Sequence, residues 1–205
     1  MATLDLPVGT ERLSLRSFER GDLDELSDFY ALPEAQRYLD WKARDKADVK
    51  AALEAMRLQT RLTRPGDTLC LAVERRSDVA LVGMLSIKWT DATASQAELR
   101  FLFNPAMRRQ GYPSEALRKG LDICFDELSF HRVFARCSAK GQNSVRLLKD
   151  LGMRLEAHYR EHALFQGEWD EELHFAILDR EWGRSGKIRE FPRGGAKAIS
   201  RDMVA

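Results

Sequence analysis

The amino-acid sequence predicts an α+β fold in which helices pack on a mixed sheet. Three observations indicate this class. Apolar runs typical of strands fill the middle of the chain, segments with helical spacing interrupt them, and residues 97–178 alternate strand, helix, strand, helix and two strands. With 205 residues, 44% of them hydrophobic and 32% charged, the chain suits one globular domain rather than a disordered protein.

The elements follow from local patterns in chain order. Alternating or apolar runs predict strands at 11–16, 69–75, 80–89, 97–103, 132–138, 153–165 and 171–178. Helical spacing predicts helices at 19–30, 46–62, 113–128 and 143–151. Asp22 can cap the first helix, and Gly152 is expected in the left-handed conformation after the last.

Composition excludes several classes of protein. Lys and Arg number 33 against 32 Asp and Glu, so the net charge of +1 argues against a nucleic-acid partner. Three scattered cysteines and four histidines without HExxH spacing predict neither a disulfide scaffold nor a metal site. The absence of a secretory signal and of an apolar run of about 20 residues predicts a cytoplasmic protein without a membrane partner. We expect one domain over residues 1–182 and a basic, flexible tail over 183–205.

The stretch from Phe101 to Leu117 has the features of an anion site, because a strand ends, a loop follows and a helix begins. A helix N-terminus offers unpaired N–H groups and partial positive charge. Gly111 permits a close backbone approach, Arg108 and Arg109 add charged donors, and Ser114 adds a hydroxyl. The alternative is a plain strand–helix connection with solvated arginines.

This segment also resembles a known family. Arg108-Arg-Gln-Gly-Tyr-Pro113 is similar to the (Q/R)xxGx(G/A) acetyl-CoA motif of GNAT N-acetyltransferases, and Ser114-Glu-Ala-Leu117 resembles the (S/T)EAL of its RimJ/RimL-like branch. Further resemblances occur in order at Glu11–Arg16, Leu128–Val133, Ser144–Met153, Gly167–Trp169 and Glu181–Trp182. Together they cover about residues 8–182.

The resemblance implies a mostly antiparallel seven-stranded sheet, splayed between strands 4 and 5 and flanked by about four helices. It implies acetyl transfer from acetyl-CoA to a primary amine, which attacks the thioester directly in a ternary complex without a metal. The branch implies a protein or peptide N-terminus as acceptor. A homodimer is an expectation from the family alone.

The resemblance also assigns residues to acetyl-CoA. The pantetheine is expected along the strand edge at Phe101, Leu102 and Phe103, where a backbone N–H polarises the thioester carbonyl. The remaining expected contacts are Arg108, Arg109, Gln110, Gly111, Tyr112, Pro113, Ser114, Asn143 and Arg146.

Two residues are candidates for catalysis. Glu98 lies where the wider family often carries a catalytic glutamate, and it is the proposed base, directly or through water. Glu161 and His162 are its rivals in a later strand. Ser144 is the candidate acid, or it hydrogen-bonds the departing sulfur. The other interpretation is that it helps to cap the helix at 143–151, and the two roles are compatible.

Three departures from the family pattern keep other interpretations open. Pro113 lacks an N–H for a phosphate, Gly141 stands where the family often has Asn, and Leu148 replaces a tyrosine that many members use as acid. The acceptor could instead be a small-molecule amine, such as an antibiotic or metabolite. A module that binds acyl-CoA without turnover is the alternative from another functional class.

Overall fold

A computed structural model describes residues 4–31, 45–165 and 167–183, with the backbone alone at residues 106, 108, 109 and 165. The strands are β1 (Val8–Gly9), β2 (Leu13–Arg16), β3 (Thr68–Arg75), β4 (Leu81–Asp91), β5 (Gln96–Phe103), β6 (Arg132–Ser138), β7 (Arg154–Phe165) and β8 (Glu168–Leu178). The α-helices are α1 (Leu23–Ala31), α2 (Lys46–Leu58), α3 (Tyr112–Asp122) and α4 (Gln142–Asp150). Two 3-10 turns (Arg20–Asp22, Pro105–Gln110) and a π-helical turn (Ile123–Glu127) complete the set.

The strands form one mixed sheet in the order β1-β2-β3-β4-β5-β6-β8-β7. Every neighbouring pair is antiparallel except β5 and β6, which run parallel. The predicted α+β fold with a mostly antiparallel sheet is therefore confirmed. The described sheet has eight strands rather than seven, because the two residues of β1 pair with β2 before the first predicted strand.

Two apolar clusters cover opposite faces of the sheet. On one face, the β6 residues Val133, Ala135 and Cys137 belong to a large core that also contains Leu117 of α3 and Leu148 of α4. On the other face, α1 and α2 pack on β3 and β4. The residues of this second cluster include Leu26, Phe29, Leu53, Cys70 and Ala72. Among the described residues, the α1–α2 pair thus packs on one half of its face.

The helix α2 begins as the sequence predicts and ends earlier. Asp45 caps it, accepting hydrogen bonds from the backbone N–H groups of Ala47 and Asp48 at 2.8 and 3.0 Å. The prediction extended the helix to residue 62. In the structure the Gln59 carbonyl instead accepts a 2.7 Å hydrogen bond from the N–H of Cys70 on β3, which draws the chain away from the helix axis.

The cysteines Cys70, Cys124 and Cys137 are all free and buried. Burial raises the pKa of the Cys70 and Cys137 thiols to about 12, with the Glu172 charge adding to the effect at Cys137, and burial also raises the pKa of Cys124. Across the described ranges, no helix combines the length and apolarity needed to cross a bilayer. The predicted tail lies, from residue 184 onward, outside the described residues.

Candidate active site

A wedge opens between β5 and β6 near the middle of the sheet. The two strands pair only through their first three residues, Gln96–Glu98 against Arg132–Phe134. Beyond Glu98, β5 continues to Phe103 and stays paired with β4, whereas β6 continues to Ser138 paired with β8. This is the splay predicted between strands 4 and 5, which are β5 and β6 of the structure because the prediction did not include β1. It turns one edge of β5 toward the wedge, where an extended chain carrying amides can pair with it.

Both helices that follow the wedge strands begin at its open end. The chain leaves β5 through the turn Pro105–Gln110 and enters α3, and it leaves β6 through residues 139–141 and enters α4. The carboxyl ends of neighbouring parallel strands, from which connections depart, form the usual crevice for ligands in open sheets. Two helix N-termini therefore lie at the end of the same wedge.

Gly111 shapes the start of α3. It precedes the helix with φ 79° and ψ 0°, a left-handed conformation that glycine adopts without cost. The helix begins at Tyr112, so Pro113 occupies its second position rather than the first, and it removes one N–H from the first turn. The side chains of Arg108 and Arg109 lie outside the described part of the structure, and their backbones form the 3-10 turn before Gly111.

Three strand residues are expected to lie along the pantetheine, and their side chains point to opposite sides of the sheet. Phe101 and Phe103 pack together with ring centroids 6.2 Å apart and join the core under α3. Leu102 contacts the second apolar cluster on the α1–α2 side. The Phe103 ring lies against Gly83 of β4, where an added Cβ would come within 2.3 Å of Phe103 Cδ1.

Glu98 is buried and ion-paired at the narrow end of the wedge. Its side chain lies on the face opposite α3, and only 4% of the residue is exposed. Its Oε1 accepts a 2.7 Å hydrogen bond from Arg136 Nε and lies 3.0 Å from Arg100 Nε. Two guanidinium groups thus fix the position of this oxygen and neutralise the carboxylate, which makes the burial of its charge tolerable.

A polar network continues from Glu98 across the half of this face that α1 and α2 do not cover. Arg136 Nη1 lies 3.7 Å from Glu172 Oε1 on β8, and the same oxygen lies 2.6 Å from His174 Nε2. The His174 ring is also 4.7 Å from the Tyr159 ring on β7. Sequence reasoning missed Arg136, Glu172 and His174. The alternation of charged and apolar residues in β6 could have indicated a polar face, but only the strand register shows which residues meet across it.

The rival bases lie further out on the β7–β8 hairpin. The pairing of β7 with β8 changes register between Tyr159 and Ala163, and Glu161 lies within this irregular stretch with φ 50°. Both Glu161 and His162 are exposed, and the His162 ring lies 6.3 Å from that of Tyr159. They therefore lie on the outer strand of the sheet, with β8 between them and β6.

The α4 residues also have defined positions. Gly141 is the N-cap residue of the helix, and Ser144 lies half-buried in the first turn, at the third helical position. Asn143 is exposed, and the exposed Arg146 lies 3.7 Å from Asp150 one turn later. Leu148 is fully buried in the core, so the position where many members carry a tyrosine faces away from solvent.

Comparison with known proteins agrees with this architecture. N-acetyltransferase YnaD of Bacillus subtilis (strain 168), itself uncharacterized, is 27% identical over 85% of this chain and 98% of its own. A Vibrio cholerae protein provisionally named as a ribosomal-protein-serine acetyltransferase matches with a TM-score of 0.72 at 24% identity, over 87% of this chain and 99% of that one. Spermidine N-acetyltransferase from Vibrio cholerae, solved with CoA and spermine, matches with a TM-score of 0.72 at 19% identity, over 84% and 99%.

The family model for the acetyltransferase (GNAT) domain matches residues 12–154. This match spans well over half of the chain and includes the wedge, the Gly111 turn and α4. The wedge and the two helix N-termini are therefore features of an N-acetyltransferase, and the chain belongs to the GNAT acetyltransferase family.

Proposed function

We propose that the protein transfers the acetyl group of acetyl-CoA to the α-amine of a protein or peptide N-terminus, as a member of the RimJ/RimL-like branch. The wedge supports this donor, because pantetheine carries two amides that can pair with the free edge of β5 at Phe101–Phe103. The pyrophosphate then lies at the start of α3, beside Gly111.

Each expected contact has a part in this binding mode. The backbone at Gln110, Gly111 and Tyr112 forms the turn, Ser114 supplies a hydroxyl, and Arg108 and Arg109 supply charge. Pro113 preserves the helical backbone but gives no donor. Asn143 and Arg146 present polar groups on the first turns of α4.

The chemistry requires one proton to leave the attacking amine and one to reach the departing sulfur. A backbone N–H near Leu102 or Phe103 polarises the thioester carbonyl while the amine attacks it. Glu98 accepts the amine proton directly or through water, from a position that Arg136 and Arg100 fix. Ser144 protonates or hydrogen-bonds the sulfur from the first turn of α4. A thiol with a pKa near 8.5 leaves readily, so the second step needs little help.

The charge balance among the described residues of this face supports a peptide rather than a polyamine acceptor. Glu98 pairs with Arg136 and Arg100, Glu172 lies near Arg136, and Glu156 pairs with Arg132 and Arg154. A polycation binds best where carboxylates outnumber cations, and these three carboxylates already have cationic partners. An α-amine, with a pKa of about 8, also needs less help from a base than a lysine side chain, with a pKa of about 10.4.

The test is a panel of short peptides with free N-termini and of small amines, spermidine included, assayed with acetyl-CoA by release of the CoA thiol. Thiol release with free peptides and its loss with N-formylated copies of the same peptides is the expected result. Preferred turnover of spermidine or another small amine would assign the acceptor to the alternative class. Binding of acetyl-CoA without turnover of any amine would support the non-catalytic module.

A further inference from the structure

We infer that Arg12 is a positioning residue for acetyl-CoA, which neutralises Glu115 and holds the turn before α3 so that the phosphates meet no net negative charge there. The inference rests on the proposed function, because it assigns a role to β2 and its preceding loop in binding that donor. In the sequence, Arg12 and Glu115 belong to two motifs that are about a hundred residues apart.

Both oxygens of Glu115 are bound from the loop between β1 and β2. The Thr10 hydroxyl donates to Glu115 Oε1 at 2.6 Å, and the Arg12 backbone N–H donates to the same oxygen at 2.9 Å. Arg12 Nε donates to Oε2 at 2.7 Å, and Arg12 Nη2 lies 2.6 Å from Oε2. Two guanidinium nitrogens thus contact the same oxygen, and these charge-assisted contacts fix the carboxylate on the side of α3 that faces this loop.

The same guanidinium also contacts the turn itself. Arg12 Nη1 donates a 2.8 Å hydrogen bond to the Gln110 carbonyl, and the guanidinium carbon lies 4.7 Å from the centre of the Tyr112 ring. An added Cβ on Gly111 would lie 3.3 Å from Arg12 Nη2. One side chain therefore contacts or borders Gln110, Gly111, Tyr112 and Glu115, the residues that begin α3.

The electrostatic consequence concerns the phosphates. A carboxylate in the first turn stabilises its own helix, but it repels an anion bound at the same terminus. The Gln110 carbonyl oxygen carries partial negative charge with the same effect. Arg12 binds both groups, so the positive end of α3 stays available to phosphate. Arg75 adds a second guanidinium 5.8 Å from the Tyr112 ring.

The experiment is calorimetric titration of acetyl-CoA into the wild type, Arg12→Gln, Glu115→Gln and the double variant. Arg12→Gln leaves the Glu115 charge unpaired, and we expect acetyl-CoA binding about tenfold weaker. The double variant removes that charge and should recover most of the lost affinity. Arg76→Gln is the matched control, because Arg76 donates to the Thr10 carbonyl of the same loop but has no contact with the turn among the described residues.

Two kinetic readouts separate positioning from general stability. In Arg12→Gln the KM for acetyl-CoA should rise with kcat unchanged. Acetyl-pantetheine, which lacks the pyrophosphate and nucleotide, should show the same kcat/KM with the variant and the wild type. Should Arg12→Gln not fold, Arg12→Lys replaces it, with a loss of about threefold expected because lysine keeps the charge but not the fork, again recovered by Glu115→Gln.

The outcomes distinguish the two proposals. A double variant that binds as weakly as Arg12→Gln would overturn the charge-neutralising role, as would equal losses with acetyl-CoA and acetyl-pantetheine. If the wild type binds acetyl-CoA and Arg12→Gln binds it with the same affinity, only this inference is overturned. A wild type that does not bind acetyl-CoA overturns the proposed function and this inference with it.

Discussion

Gly83 packs so closely against the neighbouring strand that no side chain fits at its position. An added Cβ would lie 2.3 Å from Phe103 Cδ1 and 2.7 Å from the Leu102 carbonyl oxygen. We expect Gly83→Ala to lower the free energy of unfolding by about 1–3 kcal/mol, because the strand must shift to admit the methyl group. Urea unfolding measures this change in free energy. Gly21→Ala is the control, since nothing lies within 4 Å of an added Cβ on Gly21. Equal midpoints for the two variants would contradict this packing.

Glu98 carries the sharpest prediction about catalysis. Glu98→Gln keeps the shape of the side chain and removes the proposed base. With an α-amine acceptor the loss of rate should be largest at low pH, and it should shrink as pH rises past about 8, because solvent then supplies the free amine. The measurement is the ratio of variant to wild-type kcat/KM for the acceptor from about pH 6 to 9, on either side of the amine pKa.

The Glu98 ion pairs require a control in the same experiment. Glu156→Gln breaks a comparable arginine pair on the same face, and its rate ratio should not vary with pH. A flat ratio for Glu98→Gln, at unchanged acetyl-CoA affinity, would remove Glu98 from the mechanism. It would leave this carboxylate as the partner of Arg136 and direct attention to Glu161 and His162.

The N-terminus of α3 depends on the backbone conformation of Gly111. A β-branched residue is strained at φ 79°, and its Cβ would lie 3.3 Å from Arg12 Nη2. We expect Gly111→Val to weaken acetyl-CoA binding at least about tenfold, since the side chain also crowds the ligand. Gly66→Val is the matched control, because Gly66 has φ 96° and nothing lies within 4 Å of an added Cβ. Unchanged affinity in a folded Gly111→Val protein would place the phosphates elsewhere.

The attachment of α3 to the β1–β2 loop should depend on pH. Burial raises the pKa of Glu115, but hydrogen bonds from Thr10 and Arg12 outweigh it, and the net pKa lies below the ordinary 4.5. Because the pKa is lowered in the folded protein, the ionised carboxylate stabilises the fold at pH values above the ordinary pKa. That contribution is lost as pH falls through the lowered pKa.

The measurement compares Glu115→Gln with the wild type. At pH 7 we expect the variant to be less stable by about 1 kcal/mol, a modest value because Arg12 is partly exposed. This difference in the free energy of unfolding should shrink as the pH is lowered from about 5 toward 3. Asp24→Asn, which breaks the exposed pair with Lys46, should differ little from the wild type at either pH. A difference that grows toward low pH contradicts the assigned shift.

At the scale of the whole molecule, much of the fold could be predicted from local patterns. The strand 132–138 and the left-handed Gly152 agree with the structure, because alternation and helix-ending glycines are local properties. The end of α2 was misplaced because a hydrogen bond from Cys70 to Gln59 spans eleven positions. A tertiary contact of this kind overrides helix propensity.

The candidate site was less predictable for a related reason. Gly111 and the α3 terminus are contiguous in the sequence, so a motif reveals them. The partners of Glu98 come from β6 and depend on where β5 and β6 stop pairing, and the partner of Glu115 lies about a hundred residues away. Charged residues such as Arg12 and Arg136 can serve on any solvated surface. Only the folded register shows that they meet these carboxylates.

The burial of all three cysteines determines what a thiol reagent can detect in this protein. Disulfide exchange requires an accessible thiolate, and a thiol with a pKa of about 12 is ionised in only about one molecule in ten thousand at pH 8. The thiols of the folded chain therefore react very slowly with an aromatic disulfide dye. Colour that forms during turnover then reports released CoA alone. Without substrate, the rate of colour formation with the same dye measures the rate of unfolding, because Cys70, Cys124 and Cys137 react only in molecules whose core has opened.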